Sequence, residues 1–207
     1  MKSKRTVIRS LAILIVLAGG AVLTWGLITH WGRRSSCPAG GLPAVDPSGT
    51  PLPPLEHPRL LVEKTRRRLT VYDGRKVVKR YRIALGWGRG DKVREGDGCT
   101  PEGDFYICTK NPRARFHRSL GLSYPNVEDA ERGLRDGLID RAAHDEIARA
   151  IRRRTRPPWK TPLGGQIMLH GHGTKSDWTA GCAALSNADI TELYEAIRIG
   201  TPVRIVR

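Results

Sequence analysis

A histidine and a cysteine near the C-terminus have the types and spacing needed for nucleophilic catalysis. Residues 167–187 read IMLHGHGTKSDWTAGCAALSN, so His170 follows a short apolar run and Cys182 closes the polar loop after it. A cysteine is a useful nucleophile only as the thiolate, and it therefore needs a base or a positive charge nearby. Gly181, directly before the cysteine, would allow a turn whose backbone N–H groups point at a developing oxyanion. The stretch thus predicts a Cys–His catalytic pair.

The residue pattern alone leaves two other interpretations open. A single cysteine is often a small buried hydrophobic residue with no chemical role. His172 lies two residues after His170, so in an extended segment both rings would face the same way and could bind a metal together with Cys182. No fourth ligand accompanies them, and a zinc-bound thiolate is a poorer nucleophile. We therefore predict no metal and no cofactor.

The same stretch resembles the signature of the L,D-transpeptidase catalytic domain, a family of cysteine enzymes that act on peptidoglycan. The resemblance rests on H-G, followed by D-W-T-x-G-C-x-A-L-S-N. It extends over about seven-tenths of the chain, from about residue 59 to the C-terminus, through blocks in the family's order. These blocks are GD at 96–97, TPEGDF at 100–105, KNP at 110–112, SYPN at 123–126 and GTPV at 200–203.

The resemblance implies a role for each matching residue. Cys182 matches the family's nucleophile and His170 its base. The backbone N–H groups of Gly181 and Cys182 would face the oxyanion. The remaining positions are expected to hold the histidine or line the pocket (Gly171, Thr179) and to contact the substrate peptide (Trp178, Tyr124, Asn126, His172). A tryptophan in the protein core is the competing interpretation of Trp178.

Two positions depart from the family's pattern. Many members carry Ser/Thr-His-Gly-Cys followed by an apolar residue and an arginine, whereas this chain has Ala180 in place of that histidine and Ala184 in place of that arginine. The arginine commonly contacts a substrate carboxylate. Its absence leaves open both the donor and the choice between cross-linking and hydrolysis.

The resemblance implies a substrate and a mechanism. Cys182 would attack the bond before the terminal D-alanine of a peptidoglycan stem tetrapeptide and form a thioester. An amine acceptor would give a cross-link, and water would give a carboxypeptidase or release of wall-attached protein. Carbapenem-like inhibitors, cell-wall biogenesis and an influence on cell shape belong to the same expectation. The alternatives from other classes are a non-catalytic wall-binding module and a metal-dependent hydrolase.

The charge of the chain indicates an anionic environment. The 207 residues carry a formal net charge of +16, with 39% hydrophobic residues, which is enough for the core of one domain of ordinary size. Such a charge is also typical of nucleic-acid-binding proteins. No helix-turn-helix, zinc-finger or RNA-binding motif is present, so we predict no nucleic acid. Anionic wall polymers or lipid head groups fit the charge better.

The N-terminal residues predict a single-pass membrane anchor. Residues 1–9 are basic, and residues 10–31 form a run of 22 residues without an acidic residue, lysine or arginine. As a helix this run would be about 33 Å long, enough to cross the hydrocarbon core. More basic residues precede it than directly follow it, which places the N-terminus in the cytoplasm and the domain on the periplasmic or extracytoplasmic side. A cleaved signal peptide is the competing interpretation. A Pro/Gly-rich linker (32–58) and the catalytic domain (59–207) follow.

The domain predicts a β-rich α+β fold, consistent with the mixed β-sandwich that the resemblance implies. An Asp73-Gly74 turn joins two of the strands. The predicted strands are 60–62, 69–72, 77–85, 105–108 and 203–206.

Two helical segments are predicted between these strands. Residues 129–154 are helical in pattern, with Asp140 as a cap. A last helix starts at Ser186 and ends at Gly200.

The remaining cysteines suggest a disulfide. Cys99 and Cys108 flank a predicted turn and could pair outside the cytoplasm. Two reduced thiols are the alternative. Cys37, in the linker, has no evident partner and lacks the surroundings of a lipoprotein signal.

Overall fold

A computed structural model describes residues 50–207 of the chain. Within this range the chain forms eight strands and three helices. In chain order they are β1 (Pro58–Glu63), β2 (Arg68–Asp73), β3 (Lys76–Arg82), β4 (Gly103–Ala114), β5 (His117–Leu122), α1 (Val127–Arg135), α2 (Arg141–Arg152), β6 (Met168–His170), β7 (Ala183–Ala184), α3 (Asn187–Ala196) and β8 (Pro202–Val206).

The strands form one mixed sheet in the order β3-β2-β1-β8-β4-β5-β6-β7. The pairs β1–β8 and β6–β7 are parallel, and the other neighbours are antiparallel. The twelve-residue strand β4 pairs with β8 through its first four residues and with β5 through the rest, so it belongs to both halves of the sheet. At the far edge, Ala184 exchanges backbone hydrogen bonds with Ala84, just after β3. The sheet therefore curls until its first and last strands approach each other.

Alternation along the strands builds the main core. Leu60 and Val62 of β1 are buried, and the intervening Leu61 is only half-buried. The strand β8 follows the same alternation, with Val203 and Ile205 facing inward. Ile190, Leu193 and Ile197 add the apolar side of α3 to this core. The predicted β-rich α+β class is confirmed, and the sandwich is one curled sheet whose two halves share a strand.

The two helices between β5 and β6 have a small core of their own. Ala130, Ile139, Ile147 and Leu163 form this second cluster. Asp140 caps α2 as predicted, since its carboxylate accepts a hydrogen bond from the backbone N–H three residues on. The insertion is thus a compact unit on the side of the sheet that leads into β6.

Several boundaries differ from those predicted. β3 ends at Arg82, three residues early, and β5 was not predicted because His117 and Arg118 interrupt its apolar pattern. Ser186 caps α3 as expected, but that helix ends at Ala196 because Ile197 is extended, so Gly200 lies beyond it.

The end of the predicted linker is part of the domain. Leu52 and Leu55 pack against the main core. The Leu52 N–H donates to the Glu192 carboxylate at 2.5 Å, and Lys79 bridges the Thr50 carbonyl and Glu192. Residues 50–57 are therefore held against the domain by partly buried leucines and by the shared carboxylate of Glu192 on α3.

The predicted membrane anchor at residues 10–31 lies outside the described residues, as does Cys37. From residue 50 onward, no helix combines the length and the apolar character that crossing a bilayer requires.

The disulfide predicted between Cys99 and Cys108 is wrong, since both thiols are free in the structure. The Cys99 thiol points into the loop before it and donates to the Arg89 carbonyl at 3.2 Å. Cys108 lies five residues into β4, about 16 Å along an extended strand from Gly103. The disulfide prediction assumed a short turn between the two cysteines. In the structure β4 starts at Gly103, so the chain before Cys108 is already an extended strand.

Truncation on the inward face of β1 should destabilise the domain more than truncation on its other face. Leu60→Ala is expected to lower the free energy of unfolding by about 2–5 kcal/mol, because it leaves a cavity in the main core. Leu61→Ala, on the adjacent half-buried position, should cost about 1 kcal/mol. Denaturant unfolding of both variants tests this, and equal losses would contradict the assigned inward face.

Candidate active site

The predicted base, His170, is the last residue of β6 and is almost fully buried. Its Nδ1 lies 2.7 Å from the carbonyl oxygen of Gly171. Since a carbonyl can only accept, Nδ1 carries the proton and Nε2 is left with its lone pair. Burial lowers the pKa of the imidazole below its ordinary value, so His170 is neutral at pH 7. His170 therefore has both the orientation and the neutral protonation state that a general base needs.

Gly171 contacts the histidine through its backbone. Its N–H donates to the Phe116 carbonyl at 3.0 Å, while its own carbonyl receives the imidazole proton. A side chain at this position would come within 2.4 Å of the Asn187 amide oxygen. That close approach explains the requirement for glycine after the histidine.

The turn before Cys182 is fixed by Thr179. The threonine hydroxyl donates to the Cys182 carbonyl at 2.7 Å and accepts from the Gly181 N–H at 3.2 Å. Gly181 has a φ of 128°, and a Cβ there would lie 2.7 Å from the Cys99 carbonyl oxygen. Thr179 is thus a turn-forming residue rather than a pocket wall.

This turn corrects one expectation about the oxyanion. The Gly181 N–H is occupied by Thr179 and does not point into a pocket. Between residues 50 and 207, no hydrogen bond uses the N–H of Cys182. The backbone donor left for an oxyanion is therefore that of the cysteine itself.

The thiol of Cys182 is half-buried and protonated at neutral pH. Its Sγ accepts from the Met168 N–H at 3.4 Å and donates to the Gln166 carbonyl at 3.6 Å. Burial raises the pKa of the thiol above its ordinary value. The resting hydrogen bond of the thiol goes to Gln166 and not to His170.

The parallel pairing of β6 with β7 brings the cysteine next to the strand that ends in the histidine. Leu169 pairs with Ala183 and His170 with Ala184, and Cys182 directly precedes β7. The Sγ of Cys182 is hydrogen-bonded to the Met168 N–H, two residues before His170 on β6. Exchange of the thiol's hydrogen bond from Gln166 to His170 would complete a nucleophile–base pair.

An aromatic wall surrounds the imidazole. The Phe116 ring is stacked on that of His170 with centroids 4.9 Å apart, and Trp178 meets it edge-on at 5.5 Å. The Trp178 indole N–H donates to the Gly173 carbonyl at 3.2 Å. The sequence analysis missed Phe116 because it lies in the β4–β5 turn, far from His170 in sequence. The one signal that could have indicated it is an aromatic residue within a polar stretch.

His172 is exposed and does not extend the strand. β6 ends at His170, and His172 has a φ of 88°. The centroid of its ring lies 5.7 Å from the ring centroids of both Phe116 and Trp178. The expectation that the two histidines project alike from an extended segment is therefore wrong. Within residues 50–207, no group of three or more His, Cys, Asp or Glu residues is placed to hold a metal ion.

Tyr124 and Asn126 are structural residues and do not line the site. Tyr124 is fully buried, and its hydroxyl donates to the Leu163 carbonyl at 2.9 Å. Asn126 caps α1 and exchanges hydrogen bonds with Asp129 in a capping box. The substrate-binding role predicted for both is wrong. The spacing of Asn126 and Asp129 was a capping signal that the sequence already carried.

Asp177 ties the loop between the histidine and the cysteine to the sheet. Its carboxylate accepts from Arg67 at 2.6–3.0 Å and from the Leu85 N–H at 2.9 Å. The Trp178 and Thr179 N–H groups both donate to the Leu85 carbonyl. The loop that delivers Cys182 is therefore anchored before the turn begins.

Comparison with known proteins identifies the fold that carries this site. The family model described as the L,D-transpeptidase catalytic domain, YkuD, matches residues 57–205. The chain belongs to the YkuD family of L,D-transpeptidase catalytic domains. No curated protein matches its sequence.

Solved structures resemble the chain at low sequence identity. A mutant of the helical cell shape determining protein Pgp2 from Campylobacter jejuni superposes with a TM-score of 0.50 at 24% identity, over 75% of this chain and 49% of that one. Bd1075 of Bdellovibrio bacteriovorus gives 0.47 at 23% identity, over 76% and 52%. The chain thus spans about half the length of these two proteins.

The two departures from the YkuD pattern differ in their surroundings. Ala180 is exposed on the turn. Ala184 is fully buried and pairs with Ala84 across the seam of the sheet. The position where the resemblance leads us to expect an arginine thus holds a small side chain packed inside the domain.

The pH dependence of alkylation should reveal the resting state of this YkuD cysteine. Because burial raises the pKa of Cys182, we expect its rate of reaction with iodoacetamide to keep rising from pH 7 to beyond pH 9. Peptide mass spectrometry can follow each cysteine separately. Cys108, whose pKa burial raises to about 11, serves as the slow internal control. A plateau at neutral pH would indicate a preformed thiolate–imidazolium pair and contradict this description.

Proposed function

We propose that this chain is a membrane-anchored L,D-transpeptidase that acts on peptidoglycan stem tetrapeptides through a thioester on Cys182. The observation that carries the proposal is a neutral imidazole at the end of β6, with Nε2 unprotonated, and a cysteine thiol hydrogen-bonded to the Met168 N–H of the same strand. The family match over residues 57–205 supports the substrate class.

The proposed reaction begins with proton transfer. Nε2 of His170 takes the thiol proton as Sγ of Cys182 attacks the carbonyl carbon before the terminal D-alanine. The resulting oxyanion faces the Cys182 N–H, which stabilises it. The tetrahedral intermediate then collapses, D-alanine leaves with the proton held by His170, and the stem peptide remains as a thioester.

The second half of the reaction regenerates the thiol. An amine of a neighbouring stem gives its proton to His170 and attacks the thioester carbonyl, which forms a cross-link and releases Cys182. Water in place of the amine would make the chain an L,D-carboxypeptidase or an enzyme that releases wall-attached protein. We retain the hydrolytic reaction as a second candidate because the buried Ala184 replaces the family's arginine.

The catalytic proposal is tested by incubating the full chain with purified muropeptides and reading the products by mass. Cys182→Ala should lower turnover on the order of 10³-fold or more with unchanged folding, and His170→Ala should nearly match it, because the two groups act as a unit. His172→Ala should cost less. Cys108→Ala is the matched control and should leave turnover unchanged. A carbapenem should form a covalent adduct on Cys182.

Two outcomes would contradict this mechanism. Full muropeptide activity in Cys182→Ala would show that Cys182 is not the nucleophile. Equal losses in His170→Ala and His172→Ala, together with inhibition by chelators, would favour a metal-dependent hydrolase. Mass analysis of the wild-type products also separates cross-linked dimers from shortened tripeptides, and so decides between amine and water.

The proposal includes a location. Residues 10–31 would anchor the chain in the cytoplasmic membrane, with residues 1–9 inside and the domain on the periplasmic or extracytoplasmic side. A domain that belongs to a chain with a net charge of +16 would there meet anionic wall polymers and lipid head groups.

A reporter fused after Arg207 tests the topology. An alkaline phosphatase fusion, which folds only outside the cytoplasm, should be active, and a β-galactosidase fusion at the same site should be inactive. The reverse result would overturn the orientation. A mature chain that starts near Ser35 would overturn the uncleaved anchor.

A further inference from the structure

A groove adjoins the candidate active site, between the end of α2 and the segment that leads into β6. Its volume is about 600 Å³, within the range of ligand-binding pockets. One of its lining residues is Gln166, whose carbonyl oxygen lies 3.6 Å from the Cys182 thiol. A molecule in the groove would therefore extend up to the candidate nucleophile.

The groove carries a surplus of positive charge. One carboxylate, that of Glu146, lines it together with four cationic side chains. No salt bridge of the described residues 50–207 involves any of these cations, which are Arg149, Arg153, Arg156 and Lys160.

Helix stability explains only part of this charge. Arg149 lies in the last turn of α2, where a cation suits the helix dipole. Arg156 and Lys160 lie beyond the helix, on the segment that follows its end. Their placement around one cavity needs another explanation.

An aromatic residue lines the groove. Trp159 is packed so closely on Gly165 that a Cβ added there would lie 2.5 Å from the Cα and Cβ of the tryptophan. The Arg156 guanidinium lies 5.1 Å from the Trp159 ring centroid, within the range of a cation–π contact. The arginine is thus held at the groove by a rigid neighbour while its N–H groups stay available.

We propose that this groove binds the carboxylates of the acidic donor peptide and so sets donor specificity, a role that rests on the proposed function. Arg153 and Arg156 offer planar N–H pairs that match a carboxylate. The cationic side chains of the groove come from the end of α2 and from the segment after it, which leads toward Gln166 beside the thiol.

Charge removal on and off the groove tests this assignment in the full-length protein. Arg153→Gln and Arg156→Gln should each raise KM for an acidic stem tetrapeptide about tenfold, the value of one charge-assisted hydrogen bond, and leave kcat within twofold. Arg152→Gln removes the same charge from an exposed neighbour that does not line the groove, and should behave like wild type. On the same peptide with its side-chain carboxylates amidated, all three variants should match wild type.

A binding measurement separates failure of this inference from failure of the proposed function. If wild type does not turn over the peptide, the proposed function fails. Calorimetry of the acidic peptide with Cys182→Ala as the parent then tests the groove alone, with a tenfold weaker Kd expected for Arg153→Gln and Arg156→Gln but not Arg152→Gln.

Three results would overturn the groove assignment. One is an equal KM or Kd in the groove variants and in Arg152→Gln. Another is an equal loss with the amidated peptide. The third is weaker binding to whole sacculi with unaltered peptide binding, which would assign the groove to an anionic wall polymer.

Discussion

The backbone pairing of Ala84 with Ala184 is the interaction on which the rest of the domain depends. The two residues exchange N–H···O bonds of 2.8 and 2.9 Å, and they join the segment after β3 to the strand after Cys182. Only with this seam closed does Gly86 approach Gly181, at a distance that leaves no room for a side chain. Thr179 pairs with Gly86 on the same seam. The position of the thiol is therefore a property of the whole curled sheet and not of its loop alone.

The sequence-based predictions were accurate where the signal lies in neighbouring residues and failed where it depends on residues far apart in the sequence. β1, the Asp140 cap and the Ser186 cap depend on neighbouring residues, and the sequence predicted them. Phe116 reaches His170 through strand pairing across the β5–β6 boundary, which no local pattern reveals. Residues of the SYPN block are chemically suited both to binding and to capping. Only the start of α1 assigns Asn126 to the second role.

Burial determines the charge state in which the Cys–His pair rests. Burial raises the pKa of the thiol and lowers that of the imidazole, so both changes favour the uncharged forms. Such a pair holds no thiolate at rest. Gln166, whose carbonyl accepts the hydrogen bond of the thiol, also lines the neighbouring groove. The groove and the thiol therefore share one neighbour, and a molecule in the groove would lie against the residue that holds the thiol at rest.

The docking of residues 50–57 on α3 fixes the place where the N-terminal part of the chain meets the domain. The proposed anchor at residues 10–31 is separated from this place by residues 32–49, a length that covers at most about 60 Å when fully extended. The chain meets the domain beside Asn187, whose amide oxygen accepts from the His172 N–H at the rim of the site. Under the proposed anchoring, the rim of the site that His172 forms would therefore lie next to the point where the chain leaves for the membrane.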